Sequence, residues 1–244
     1  MTTAHGSAPQ GARARARIEV TAAIKDEARR QLAADGAAKL SLRAVARELG
    51  MVSSALYRYF PSRDDLLTAL IIDAYNSVGE SAEAACEDFA DVGPAQRWIA
   101  VCESVRRWAL AHPHEYALIY GSPVPGYSAP ETTVPAAARV GEVLIGILRD
   151  AHQGLGLAKP PLPADLRPEA ERMAADFAPD LPPGTAVALV AAWAQLFGLV
   201  GFEVFGQFHR VVEERERFFR HAASQLALGV GLVYPQTGPA GAGR

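Results

Sequence analysis

Two serines, an alanine, a tyrosine and an arginine stand close together in the run Ser53-Ser54-Ala55-Leu56-Tyr57-Arg58-Tyr59-Phe60. If that run is helical, Leu56 and Phe60 share one face, which leaves Ser53, Ser54, Tyr57 and Arg58 on the other. Small residues at the head of a helix let its backbone come close to a surface, and the longer polar side chains that follow reach outward. An arginine fork matches O6 and N7 of guanine in the major groove of DNA, so Arg58 is the candidate for reading a base. Catalytic patterns are missing by comparison: the chain has no G-x-S-x-G, no Cys-x-x-Cys, no glycine-rich phosphate loop and no His-Glu-x-x-His. An all-helical enzyme would have to build its site from scattered residues. His112 and His114 are two apart around a proline. Nothing completes a ligand set for them, so neither a metal nor a cofactor is expected.

The surrounding stretch, residues 41–67, supplies what must hold that run in place. Leu42, Val45, Ala46 and Leu49 recur at three and four residues, one face of a helix of about two turns. Ser41 stands at its cap, where the hydroxyl is also placed to meet a phosphate. Gly50 tolerates the positive φ that a sharp exit needs. Pro61 ends the second helix at Phe60, because a residue before proline avoids the α region. Ser62 and Asp65 then form S-x-x-D at the head of a third helix carrying Leu66, Leu67 and Leu70. This is helix-turn-helix spacing.

Gly50, then Leu56, Tyr57 and Phe60, then Arg63 opening the next helix together resemble the N-terminal signature of the TetR (tetracycline-repressor-like) family, over roughly the first third of the chain. The resemblance implies an all-α protein, with a three-helix helix-turn-helix domain at 13–62 and a helical effector-binding and dimerisation domain at 63–234. It implies that Ser53, Ser54, Ala55, Tyr57 and Arg58 face a DNA operator, while Tyr59 and Arg63 meet phosphate and fix register. An aromatic beside Phe60 also suits a core. Ser41 and Arg43 are further phosphate candidates. One position departs from the family's habit of a Ser or Thr cap on the recognition helix. Val52 stands there and cannot accept from the free N–H groups, a loss of about 1 kcal/mol that Ser53 could make good one residue later.

Charge distribution agrees with a DNA-facing N-terminal third. The 244 residues carry a net charge of -3, yet positions 13–63 hold eleven Arg and Lys against five Asp and Glu, a net of +6. The remainder holds 13 basic and 22 acidic residues, a net of -9. Half the residues are apolar and mean hydropathy is near zero, the composition of a soluble chain with one large or two modest domains. Cys86 and Cys102 form no zinc or disulfide framework and read as buried thiols of a reducing cytoplasm. The first residues lack the apolar run of a signal peptide. Residues 1–12 and the tail from 235 are expected to lack regular structure. The arginine run 13–17 suits either a basic arm reaching a minor groove or phosphates, or a solvated lead-in to the first helix.

Along the rest of the chain only helical periods occur. Helices are expected at 14–34, with Ile24, Ala28 and Leu32 buried and Gly36 ending it, and at 63–85, which the resemblance makes the link that transmits ligand binding to the DNA heads. Trp98, Val101, Cys102, Val105 and Trp108 form a stripe. After a short helix at 115–120, the run 121–135 holds four prolines and reads as a loop, a flexible wall or entrance. Val140, Val143, Leu144, Ile147 and Leu148 mark a helix ending near Gly154, and further helices follow at 167–177, 186–204 and 211–233. The 186–204 run is almost long enough to span a bilayer. It lacks flanking basic anchors, so burial on both sides is expected instead, one against the core and one against a second subunit. The last two helices of each chain would then build a four-helix homodimer interface, without a membrane partner. Trp98, Trp108, Tyr116, Tyr120, Trp193 and Phe197 are candidates to line a pocket for a small-molecule effector, or are plain core. If core, the chain could be an architectural or co-regulatory DNA-binding dimer with no effector.

Overall fold

The computed structural model describes residues 8–233, and the expectations for positions 1–7 and for the C-terminal tail lie outside the described residues. Among the described residues there are only helices and their connections. The chain divides into two compact units, the first comprising residues up to Ala74 together with His114–Thr133, the second Tyr75–Pro113 and the chain from Val134 onward.

The first unit begins with α1 (Ala8–Asp35), which starts six residues earlier than expected. Alanines favour a helix here, and Pro9 falls in the first turn, where its missing N–H leaves no bond unmade. Gly36, at φ 77°, turns the chain out of α1. The helices α2 (Leu42–Glu48) and α3 (Ser53–Leu56) follow, then the first part of α4 (Arg63–Asp88). Ile24, Ala28, Val45, Leu56, Leu67 and Leu70 belong to one buried cluster at the centre of these helices. Ser62 caps α4: its hydroxyl accepts from the Asp65 N–H at 3.1 Å and donates to the Asp65 carboxylate at 2.7 Å.

The domain boundary differs from the 13–62 and 63–234 division. Leu66, Leu67 and Leu70 complete the first unit's core, and a distant segment joins them. From α6 (Pro113–Tyr120) and the loop after it, Leu118, Val124 and Tyr127 pack on that same core. The Tyr127 hydroxyl lies 2.9 Å from that of Thr68 on α4, and Arg29 on α1 bridges Asp73 and Glu115, each at 2.7 Å. The proline-rich run is thus fastened to the head of α4, not a loose wall. Pro135 starts a helix instead of ending the loop, since it falls in the first turn of α7 (Val134–Gln153).

The second unit comprises α4 from Tyr75, α5 (Pro94–Ala111), α7, α8 (Arg167–Phe177), α9 (Pro183–Val204) and α10 (Arg215–Gly229). The α5 stripe is its core, with Trp98, Val101, Cys102 and Val105 fully buried. Burial pushes the Cys102 thiol well above the ordinary cysteine range, so it stays protonated, whereas Cys86 is only half-buried. Polar pairs fix the helices around α5. Arg97 reaches Asp150 on α7 at 2.8 Å, Arg220 on α10 reaches Glu103 at 2.6 Å, and Arg106 forks onto both Glu203 oxygens on α9, each at 2.6 Å. α10 starts four residues later than expected. The chain first turns through residues 205–214, where Arg210 takes a φ of 61°.

Candidate nucleic-acid interface

The turn that carries the candidate base-reading residues is built from α2 outward. Ser41 caps α2, its hydroxyl accepting from the Ala44 N–H at 3.4 Å. Gly50 takes a φ of 64°, and the Met51 N–H closes onto the Ala46 carbonyl at 2.8 Å. α3 is then a single turn, Ser53–Leu56, shorter than the expected 53–60. Tighter turns carry the chain on, with the Arg58 N–H donating to the Ala55 carbonyl at 3.2 Å and the Tyr59 N–H to the Leu56 carbonyl at 2.8 Å. The shortening has a physical origin at both ends. Val52 offers no side-chain cap, Ser53 does not replace it, and Pro61 bars continuation. So short a helix has no stability of its own. It is held by Leu56 and Phe60, both buried in the first unit's core.

Outward of those anchors, Ser54, Tyr57 and Arg58 are exposed, with Tyr57 at 42%. Ser53 and Ala55 are half-buried. Val52 is more than a poor cap. It is 71% exposed beside the polar residues, an apolar surface of the kind that meets a thymine methyl. Arg43 is exposed on α2, while Ser41 is half-buried and engaged as the cap. Tyr59 is half-buried against the core, and Arg17 lies over its ring, 5.0 Å from the centroid. Arg63, the other phosphate candidate, is engaged within the first unit. Its guanidinium donates to the carbonyls of Ala37 at 2.8 Å, Ala38 at 3.3 Å and Leu40 at 3.2 Å, bracing the connection between α1 and α2. A phosphate would have to compete with these bonds.

The first unit's basic residues fall into two groups. Lys25 pairs with Asp73, Arg29 with Asp26, Asp73 and Glu115, and Arg30 with Glu27, while Lys39, Arg47 and Arg63 pair more loosely with Asp35, Glu48 and Asp64. Among the described residues, Arg13, Arg15, Arg17, Arg43 and Arg58 form no ion pair. Uncompensated positive charge is therefore left on the first turns of α1, on α2 and on the recognition turn, and it is cancelled on the side where α1 meets α4 and α6.

The six aromatic candidates for a ligand wall are not a single group. Tyr116 and Tyr120 belong to the first unit, with rings 5.3 Å apart, and the other four belong to the second. Trp98 is fully buried. Trp108 donates from its indole N–H to the Ser77 hydroxyl at 2.9 Å and stacks on His112 at 5.4 Å. Phe197 is buried, but Trp193, which meets it edge-on at 6.0 Å, is 40% exposed and points away from the core. On α9 the faces separate clearly. Leu189, Ala192, Leu196 and Val200 are buried, whereas Ala191, Ala194, Gly198 and Phe202 form an exposed apolar stripe. This is one helix long and apolar enough to cross a membrane, and 44% of its most apolar window is buried inside the protein.

Comparison with known proteins matches two segments of the chain. Residues 24–70 match the profile described as bacterial regulatory proteins, tetR family, and residues 98–226 match the tetracyclin repressor-like C-terminal domain. The chain is 40% identical over 205 residues to the HTH-type transcriptional regulator Rv1816 of Mycobacterium tuberculosis, covering 81% of this chain and 86% of that protein. A protein assigned as regulatory, SCO4313, has a crystal structure similar to it with a TM-score of 0.71 and 33% identity, covering 87% of this chain and 97% of the other. The TetR family transcriptional regulator PfmR from Thermus thermophilus shares the fold, with a TM-score of 0.55 and 19% identity over 86% of this chain and 99% of its own.

Proposed function

As the chain belongs to the TetR family and is a DNA-binding transcriptional regulator rather than an enzyme, we propose that it acts as a homodimeric repressor, released from a pseudo-palindromic operator by a small-molecule effector. One observation carries the DNA side of this reading: Tyr57 and Arg58 protrude from a turn whose opposite face, Leu56 and Phe60, is locked in the core. Ser53, Ser54, Ala55 and Val52 would lie close to the base edges, Arg58 would fork onto a guanine, and Arg43 and Tyr59 would hold phosphate. Ser41 and Arg63 serve chiefly to position them. Two such turns would read half-sites about 34–36 Å apart. Operator binding of this kind is cytoplasmic work.

The dimer would form through the exposed stripe of α9 together with α10. Ala191, Ala194 and Gly198 give it the small side chains that close helix crossing needs. Gly198 offers a clean test, since a Cβ built there meets nothing within 4 Å. Gly198→Arg is expected to leave the protomer folded, with an unchanged circular dichroism spectrum, and to convert the dimer to a monomer by sedimentation. A variant that stays dimeric places the interface elsewhere.

α4 passes from one unit into the other, and an effector that prefers the conformation with poorly spaced turns would shift the population away from DNA. Burial of Trp98, Trp108, Tyr116 and Phe197 favours the second reading, a regulator without an effector. Native mass spectrometry of the purified protein separates the two, because a bound small molecule adds its mass to the dimer.

The DNA reading is tested by fluorescence anisotropy on duplexes from the region upstream of the gene. Tight, salt-sensitive binding to one duplex is expected, and Arg58→Ala should cost about 1–3 kcal/mol with relaxed preference at one base pair. Equal weakening on every sequence would make Arg58 a phosphate contact, and an absence of binding to any duplex would overturn the reading.

A further inference from the structure

The guanidinium of Arg17 is placed in a way that no pairing with a carboxylate accounts for. It lies over the Tyr59 ring, and its Nη2 donates to the Arg58 carbonyl at 3.4 Å. α1 therefore borders the recognition turn at this point. Arg13 is one helical turn before Arg17, on the same side of α1. Both are exposed, and neither forms an ion pair among the described residues.

We propose that this face of α1 is a second DNA contact, a phosphate grip next to the major-groove segment entered by the recognition turn. The inference rests on the reading of residues 52–58 as the base-reading turn. Its chemistry is that of two planar forks, which suit phosphate oxygens as a bidentate partner. The helical state of the run decides which part of the duplex it meets. A helix with its side chains is about 10–12 Å across and a minor groove is about 6 Å wide. The backbone phosphates, not the groove floor, are the target. Arg15 lies roughly 200° around the helix from Arg13 and takes no part. Arg17 also positions Tyr59 through the stacked contact, so its loss slackens the turn as well as removing a charge.

The test is a salt series of anisotropy titrations on the full chain, using a duplex of arbitrary sequence and the upstream duplex. Arg13→Ala, remote from Tyr59 and at an exposed helical position where alanine is favourable, is expected to reduce the slope of log affinity against log salt by about one per protomer, equally on both duplexes. Arg30→Ala removes the same charge from an arginine paired with Glu27 and should leave the slope unchanged. Arg17→Lys should keep the slope but weaken binding to the upstream duplex, by loosening Tyr59. If Arg13→Ala leaves the slope unchanged while the unmodified protein binds DNA through Arg58, the grip is wrong and the base-reading turn stands. If Arg13→Ala and Arg30→Ala lower it equally, the effect is net charge and the grip is again wrong. A protein that binds neither duplex fails the underlying reading itself.

Discussion

Leu56→Ala is expected to cost about 2–5 kcal/mol of stability and to abolish DNA binding together. Leu56 is 1% exposed, and it is the only fully buried side chain within α3. The element around it has almost nothing else to hold it: four residues of helix, no side-chain cap before them and a proline shortly after. Removing three carbons from this position leaves a cavity in the first unit's core and frees the turn to wander. A lowered urea midpoint with lost anisotropy change would show it. Tyr57→Ala is the matched control, since Tyr57 is exposed and its removal should weaken binding without moving the midpoint. A Leu56→Ala protein that binds the upstream duplex normally would show that the turn is held by something other than its burial.

Arg106→Ala is expected to cost about 3–5 kcal/mol in the second unit. Glu203 is buried, its side chain 5% exposed, and both its oxygens accept from the Arg106 fork. Those bonds hold the guanidinium above the usual arginine range, and the Phe219 ring of α10 lies 5.5 Å from it. One side chain on α5 thereby positions both α9 and α10. Taking it away leaves a carboxylate in the core with no countercharge. Replacing both partners, Arg106→Leu with Glu203→Leu, should recover most of the loss, because no lone charge then remains. Arg106→Lys should fall between, since an ammonium cannot span two oxygens in the plane of a fork. Thermal unfolding of the four proteins checks the order. A double variant as unstable as Arg106→Ala would mean that packing of the arginine stem, not charge, sets the cost.

The helix-turn-helix is legible in the chain because its signals are local. Ser41 caps α2, Gly50 takes the left-handed conformation, and Ser62 caps α4 through Asp65, each within a few residues of the pattern that announces it. Leu56 and Phe60 inward, with Tyr57 and Arg58 outward, follow from spacing alone. What spacing does not carry is long-range. Nothing in the vicinity of Arg63 indicates that its guanidinium turns back to the carbonyls of Ala37, Ala38 and Leu40, or that Arg17 covers Tyr59 from forty-two positions away. The length of α3 escapes the pattern because periodicity counts residues on a face and is blind to the missing cap at Val52. The aromatic residues show the same limit: period locates a face but not what covers it, and Trp98 is fully buried whereas Trp193 is 40% exposed.

The late return of residues 114–133 to the first unit also limits how its parts can be exchanged. A chain cut after Ala74 would carry the DNA-facing helices and the core leucines of α4 but not Leu118, Val124, Tyr127 or Glu115. Such a fragment would open to water the part of its core that Leu118, Val124 and Tyr127 cover, and would be prone to aggregate. Modular recombination of this regulator with another's operator preference therefore needs two segments exchanged through three junctions, the second segment being 114–133, and grafting only the residues from Val52 to Arg58 is the smaller and safer exchange.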